Sequence, residues 1–491
     1  MNTTTLNGTA RRSIAGSAST IEQRKPLPSS GRGAVDSTLA PRLLGPVFLP
    51  DDEGYDAARA GYNLAVEHRP AILVGADGAA DVMAAVAFAT ERGLPVGVLN
   101  TGHGPSVAAD GALLINTGRM QGVRVDPYHR TARVDAGVRW QRVIHEAAAF
   151  GLAPLSGSSP AVGAVGYTLG GGLGPLGRAF GYAADHVRSI DVVTAHGALR
   201  QSSPQQYADL FWALRGGKGN FGVVTSMEVG LFPVARIYGG GLYFPGSAAP
   251  AVLNAYRRWV KTVPDALTSS VGLVRFPWQA DVPAHLRGRF VVHVRIAFDG
   301  SAADGERLVR PLREVTLMLR DTVTDMPYTA VGTVHNDPTD AVPLYERTAF
   351  LQDLDEEAAD AFAHITGPDS NCPLRLVELR HLGGALGRDP EVPNAVGNRQ
   401  AAFLLYVAGV PTRPGEDVER YADAIMDRMA DWGTGGVCLN FLGANEAAAE
   451  RVRAAYSAAD YRRLVAVKRA YDPENVFRIN HNIPPNAVVG R

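Results

Sequence analysis

The chain has 491 residues, 46% of them hydrophobic, and a formal net charge of −1. That length exceeds one ordinary domain and suggests two or three. The near-neutral balance gives no electrostatic reason to expect a nucleic acid or an anionic membrane as partner, and no apolar run reaches the roughly 18 residues that span a bilayer.

Two cysteines, Cys372 and Cys438, lie far apart and outside any metal-type spacing, so neither a disulfide scaffold nor a metal site is expected. Residues 1–40 are rich in Ser, Thr, Gly and Arg and read as a flexible tail. The stretch "SIAGSAST" after Arg11-Arg12 is too polar for the core of a secretion signal. A cytoplasmic location is therefore the expectation.

From about Arg69 the pattern becomes regular. "AILVG" reads as a buried strand and "AADVMAAVAFATERG" as a helix closing on Gly93. "PVGVL" is a second strand, and it runs into a loop, "NTGHGPS", that sets His103 between Gly102 and Gly104. "ALLINT" and "GVRVDPYHRTARVDAG" give further short strands, and "VRWQRVIHEAAAFG" an amphipathic helix. Ser156 to Gly181, "SGSSPAVGAVGYTLGGGLGPLGRAFG", holds too few bulky side chains for a conventional core element. Its backbone N–H groups suit close approach to an anion. "VRSIDVVTAHGALRQS" reads as a hairpin, "SPQQYADLFWALRGG" as a helix begun by a serine cap and a proline, and "NFGVVTSMEVGLF" as a strand.

After Pro233 strand-like segments ("GGGLYF", "LTSSVGLVRF", "RFVVHVRIAF", "LRLVELRHLGG", "AAFLLYVAGV", "GGVCLNFLG") alternate with amphipathic helical ones. A largely antiparallel sheet with helices on one face follows from that alternation. "DYRRLVAVKRAYDPENVFRINHNI" is a basic helix stopped before Pro473, with an extended tail. The spacing Gly172-Leu-Gly174-Pro-Leu-Gly177 matches a dinucleotide fingerprint, but no strand leads into it and Asp191 opens a strand where the ribose-binding acid should end one. A nicotinamide enzyme is therefore the weaker reading.

"GHGPS", "GSSPAVGAVGYTLGGGLGPLGRAFGYAADHV", "LFWALRGGKGNFGVVTSMEV" and "YDPENVFRINHNI" occur in this order and at this spacing. With them the chain resembles the FAD-linked oxidases of the berberine-bridge-enzyme type, in the vanillyl-alcohol-oxidase superfamily, over nearly all of its length beyond the tail. The resemblance implies an α+β fold. A PCMH-type FAD-binding domain would cover 41–235, a substrate-binding domain with a largely antiparallel sheet 236–450, and a segment returning to the FAD domain 451–491. It implies FAD joined covalently to His103. It also implies a cofactor wall from Asn100, Thr101, Gly102, Gly104, Ser106, Gly157, Ser158, Ser159, Val162, Gly163, Gly166, Tyr167, Gly171, Asn220, Gly222, Val224, Asn480 and Asn482.

Ser159 stands where many relatives carry the cysteine of a second flavin bond, so a single link is expected. Val162, small as in family oxidases, favours dioxygen as electron acceptor. Where the family often has Tyr-x-Asn-Tyr, this chain reads Cys438, Leu439, Asn440, Phe441, which puts a tyrosine base there in doubt. The remaining catalytic candidates are Tyr406, Tyr167, Glu378 and Arg380. The last two alternate to one strand face with Leu374 and Leu376. The expected function is hydride removal from a CH–OH, CH–N or activated C–H carbon of a small organic molecule, with O2 reduced to H2O2, in a monomer or homodimer. The competing expectations are a flavoprotein that sequesters a metabolite or drug, and a flavin dehydrogenase or oxidative cyclase.

Overall fold

The computed structural model describes residues 35–104, 107–280, 282–411 and 417–487. Three sheets organise them. The first, in the order β1-β2-β4-β3, comprises β1 (Val47–Phe48), β2 (Ile72–Gly75), β3 (Val96–Leu99) and β4 (Leu113–Asn116). Strands β2, β4 and β3 run parallel, and Ile72, Leu73 and Val74 are all buried. Continuous apolar runs are what a sheet covered on both faces requires.

The second sheet, β5-β6-β9-β7-β8, is antiparallel and comprises β5 (Val123–Asp126), β6 (Thr131–Asp135), β7 (Val187–Val193), β8 (Leu199–Ser202) and β9 (Val223–Gly230).

The third sheet is wholly antiparallel and runs β13-β10-β12-β11-β16-β17-β15, with β14 also on β10. Its strands are β10 (Arg236–Pro245), β11 (Leu267–Arg275), β12 (Phe290–Phe298), β13 (Arg320–Asp321), β14 (Thr324–Pro327), β15 (Tyr345–Leu351), β16 (Leu376–His381) and β17 (Phe403–Gly409). Helices Ala249–Trp259, Ala302–Arg313, Glu356–Thr366 and Val418–Arg428 supply residues to one core with Val271, Leu273, Val292, Val294, Leu379 and Leu405. Because side chains alternate across a strand, the residues between these, such as His293, Arg295, Glu378, Arg380 and Tyr406, face the other way, towards the glycine-rich segments. The mixed α+β architecture and the helices on one face of an antiparallel sheet agree with the sequence.

Four local expectations fail. "GGVCLNFLG" forms no strand: after a single bridge from Gly433 to Leu351 the chain leaves the sheet, and Leu439–Phe441 is one turn of 3-10 helix. The sheet edge is taken instead by β15, whose Glu346 and Arg347 break the apolar run that would have announced it. Ser203 caps only a turn, through the N–H groups of Gln205 and Gln206, and the helix begins at Ala208 behind Tyr207. The glycine-rich segment holds two short helices, Ala164–Leu169 and Gly177–Phe180, and sends Leu169 and Leu176 into the core. Leu374 precedes β16 and lies in the helix-side core, apart from Leu376, Glu378 and Arg380.

The C-terminal helix Ala458–Tyr471 packs on helix Ala208–Leu214. The chain then crosses the first sheet, where Val96 N–H donates to Val476 O at 2.9 Å. Among the described residues no helix is long and apolar enough to cross a membrane, and no group of three His, Cys, Asp or Glu side chains could hold a metal ion.

Candidate active site

A cavity of about 1220 Å³ lies between the glycine-rich segments and the free face of the third sheet. It exceeds the roughly 300–1,000 Å³ of ordinary ligand pockets, so it has room for a large cofactor together with a second molecule.

One wall is the loop after β3. Gly102 adopts φ +67°, and a Cβ there would fall 2.5 Å from the Gly61 Cα. Only glycine lets the two backbones approach so closely. Tyr62 N–H donates to Thr101 O (2.9 Å) and Asn63 N–H to Gly102 O (3.0 Å). That pairing brings the Tyr62 ring flat against His103, 4.0 Å between centroids and 9° between planes. The packing partner that the flanking glycines cannot give His103 is supplied by Tyr62 from another part of the chain. His103 Nδ1 lies 2.9 Å from Thr101 Oγ1. Burial, helped by the charge of Arg139, lowers its pKa to about 4, so the ring is neutral at physiological pH. Gly104 is roomier: among the described residues only the Asn440 carbonyl comes within 4 Å of a Cβ.

The expected cofactor residues divide on placement. Asn100, Thr101, Gly102, His103, Gly104, Gly157, Ser158, Ser159, Val162, Gly163, Gly166, Tyr167, Gly222, Val224 and Asn480 line the cavity. Gly171, Asn220 and Asn482 do not. Gly171 packs on Val396. Asn220 is a clamp: its Nδ2 donates to Gly217 O and His481 O, and its Oδ1 accepts from Ile483 N–H. Ser106 lies outside the described residues. Gly172, Gly174 and Gly177 also stay off the cavity wall and pack on protein, Gly174 so tightly that a Cβ would lie 1.9 Å from Ser156 O. Those glycines serve packing, which disposes of the dinucleotide fingerprint.

Tyr167 lines the cavity, but its ring sits in a notch left by Gly157, Gly172 and Gly174. Its hydroxyl is buried without a partner among the described residues and lies 2.9 Å from where a Gly174 Cβ would be. The notch fixes the ring in the cavity wall, within electrostatic reach of Arg380.

The opposite wall is the sheet. Tyr406 O–H donates to Glu346 Oε1 at 2.6 Å, both groups buried. Burial raises the Glu346 pKa to about 7, against the pull of Tyr406, Lys218 and Arg380. Burial and the adjacent carboxylate push the Tyr406 phenol well above its usual value. A phenol so placed is a poor base alone; the carboxylate behind it is the group that takes a proton near neutrality. Glu346 and the half-buried Lys218, whose pKa desolvation lowers to about 8, were not singled out in the sequence. The one available signal for Lys218 is a lysine inside "RGGKGN", where it takes φ +53°.

Glu378 does not line the cavity; it lies fully buried behind it. It accepts from Ser270 Oγ (2.6 Å), Arg295 Nη1 (2.5 Å) and Arg380 Nε (2.9 Å). Burial pushes its carboxyl up, but Arg380 and Arg295 outweigh that and hold it well below the usual carboxylate range. Permanently ionised and shielded, Glu378 orients arginines and has no role as acid or base. Arg380 does reach the cavity.

Burial also lowers the pKa of His335 and His381 to about 3. The unfolded chain therefore binds more protons at these sites than the folded one below pH 6.5, and stability rises with pH from about 3 to 6.5. Glu346 acts in the opposite sense between 4.5 and 7. Urea unfolding from pH 4 to 7 is expected to show a net rise, and His381→Phe a shallower one; an unchanged slope would show that His381 is not held neutral.

The fit to FAD rests on these features: a glycine-lined wall with Gly166 open to the cavity, a neutral, half-buried imidazole, and buried polar atoms at Asn480 Oδ1 and His481 Nε2 that have no partner among the described residues. Comparison with known proteins points the same way. Residues 70–203 match the model of an FAD binding domain, and 437–484 that of the berberine and berberine-like family. With this fold and cavity, the chain is an FAD-dependent oxidoreductase.

Among curated proteins it is 29% identical to (R)-6-hydroxynicotine oxidase of Paenarthrobacter nicotinovorans, over 90% of this chain and 97% of the relative. It is 28% identical to an uncharacterised FAD-linked oxidoreductase of Bacillus subtilis, over 90% and 98%. The crystal structure of 6-hydroxy-D-nicotine oxidase from Arthrobacter nicotinovorans superposes with a TM-score of 0.78 at 27% identity, covering 90% of this chain and 98% of that one. The chain thus carries an FAD-binding domain and a berberine-like domain, and it is similar to FAD-linked oxidases along about nine tenths of its length.

Proposed function

We propose that this protein is an oxidase with FAD bound through a single covalent link to His103. It would remove a hydride from a CH–OH, CH–N or activated C–H carbon of a small organic molecule and pass the electrons to O2, giving H2O2. The observation that carries this reading is the meeting, in one cavity, of a neutral, half-buried His103 with the Glu346–Tyr406 pair.

The residues divide the work. His103, steadied by Tyr62 and Thr101, would hold the cofactor, with Asn100, Ser158, Ser159, Val162 and Asn480 along its wall. FAD, when bound, supplies the two-electron acceptor. Tyr406 would orient the substrate's O–H or N–H and relay its proton to Glu346 Oε1, so that proton and hydride leave the substrate in opposite directions. Lys218 would favour the ionised carboxylate at the start of that step. Ser159 in place of cysteine limits the attachment to one bond, and Val162 keeps dioxygen access open.

The Glu346–Tyr406 pair favours turnover over sequestration, because the tyrosines absent from the Cys438–Phe441 stretch are no longer needed to supply a base. The test is anaerobic mixing of the yellow protein with small alcohols, amines and organic acids, then the same mixtures in air. Bleaching without air and peroxide release with it are expected. Tight binding with neither would establish the sequestering flavoprotein. Bleaching with no reoxidation by air would establish the dehydrogenase; in the oxidase, Val162→Ile should slow reoxidation and leave flavin reduction unchanged.

A further inference from the structure

The free face of the third sheet carries a positive charge that no neighbouring carboxylate touches. Arg295 and Arg380 share one carboxylate, Glu378, which each approaches from its own side. Gly272 makes this possible. A Cβ there would fall 3.2 Å from Arg295 Nη1, so the guanidinium lies over the bare strand to reach Glu378. His293 cannot supply a counter-charge. Arg295 Nε donates to its Nδ1 (3.2 Å), which fixes the neutral tautomer with the proton on Nε2, and that Nε2–H has no partner. His335, 3.8 Å from Glu378, is held neutral by burial.

Among the described residues one of the two guanidinium charges therefore has no contacting anion of its own, and Arg380 is the one that presents it. Arg380 spends its Nε on Glu378 and lies over the Phe441 ring, 4.8 Å from its centroid, and 5.8 Å from that of Tyr406. Its terminal nitrogens form no hydrogen bond to a described residue, and the residue lines the cavity. Asp337 on the facing loop acts on Arg380 through space without an ion pair among the described residues. Glu346, which also lines the cavity and feels Arg380 through space, is hydrogen-bonded to Tyr406.

We propose that Arg380 binds a carboxylate of the substrate, so that the molecule oxidised is a small organic acid whose reacting carbon is placed beside Tyr406. The inference deepens the oxidoreductase reading and rests on it for the identity of the site. A planar fork with two free N–H-bearing nitrogens matches a carboxylate edge-on. With Glu378 shared and Asp337 and Glu346 acting on Arg380 only through space, the positive surplus is small and suits a monoanion better than a phosphate dianion. Phe441 fits the same picture. Without a hydroxyl it cannot hydrogen-bond the bound carboxylate, and its face leaves the guanidinium as the polar partner on that side.

Calorimetric titration of the purified holoprotein with benzoate and with its neutral isostere benzamide tests this. Benzoate is expected to bind at least tenfold more tightly, a preference lost in Arg380→Gln and reduced in Arg380→Lys, which keeps the charge and loses the fork. Equal binding of the two probes by the unmodified protein would overturn the proposal whether or not the variants fold. So would a preference for benzoate that survives in a folded Arg380→Gln. Flavin absorbance, read on the same samples, reports separately on the oxidoreductase reading: a colourless protein that still prefers benzoate through Arg380 would refute that reading and leave the carboxylate site standing.

Discussion

Glu346→Gln is expected to slow flavin reduction by about 10²–10⁴-fold, the range that a positioned general base contributes, while flavin content and fold persist. Glutamine keeps the size and still accepts the Tyr406 hydrogen bond at its carbonyl oxygen, but it cannot take the proton. Because burial raises the Glu346 pKa to about 7, the rate of flavin reduction should climb through neutrality as the carboxylate ionises, and the variant should lose that limb. Tyr406→Phe should slow the same step by a comparable factor, since the proton then has no route to the carboxylate. The double variant should be little slower than either single one, because both remove the same relay. A loss below tenfold in both, measured by anaerobic stopped flow, would remove the pair from the chemistry.

Lys468→Met is expected to cost about 3–5 kcal/mol of stability, the usual penalty for stranding a buried charge. Lys468 Nζ is fully buried and donates to Asp472 Oδ2 (2.6 Å), Asn220 O (2.8 Å) and Phe477 O (3.1 Å). Asp472 in turn accepts from the N–H groups of Val476 and Phe477. One ion pair thus ties the end of the C-terminal helix, the tail beyond it and the loop of Asn220. Asn220 holds the tail beside the cavity through His481 and Ile483. The unfolding midpoint in urea should fall, and flavin retention with it. Lys468→Met combined with Asp472→Leu should recover part of the loss by removing the orphaned carboxylate. Unchanged stability in the single variant would show the pair to be replaceable by packing alone.

Much of the cofactor half could be read from the sequence because its requirements are written in glycine and in chain order. Gly102 beside Gly61, and Gly166 open to the cavity, are places where a side chain is excluded or a wall left bare, and such positions are visible as motifs. The substrate half could not be read in the same way. Glu346 sits in "LYERTAF", where two charges hide a buried strand, since burial of a charge depends on partners that lie 60 residues away at Tyr406. Glu378 and Arg380 were visible as a pair on one strand, but Arg295, which decides that Glu378 is an orienting group, comes from β12 across Gly272. "GGVCLNFLG" misled for a related reason. Cys438 is buried beside Leu173 and Tyr182, and Phe441 packs partly buried against the same cluster, but no neighbouring strand offers them a ladder.

The central claim is that His103 carries the flavin. The measurement that reaches it most directly is to denature the purified protein in acid and ask whether the yellow chromophore precipitates with the polypeptide. The account predicts that it does, that His103→Ala releases it, and that Ser159→Ala does not. Colour left in the supernatant of the unmodified protein would contradict it, and His103 would then be only a half-buried, neutral ring stacked on Tyr62.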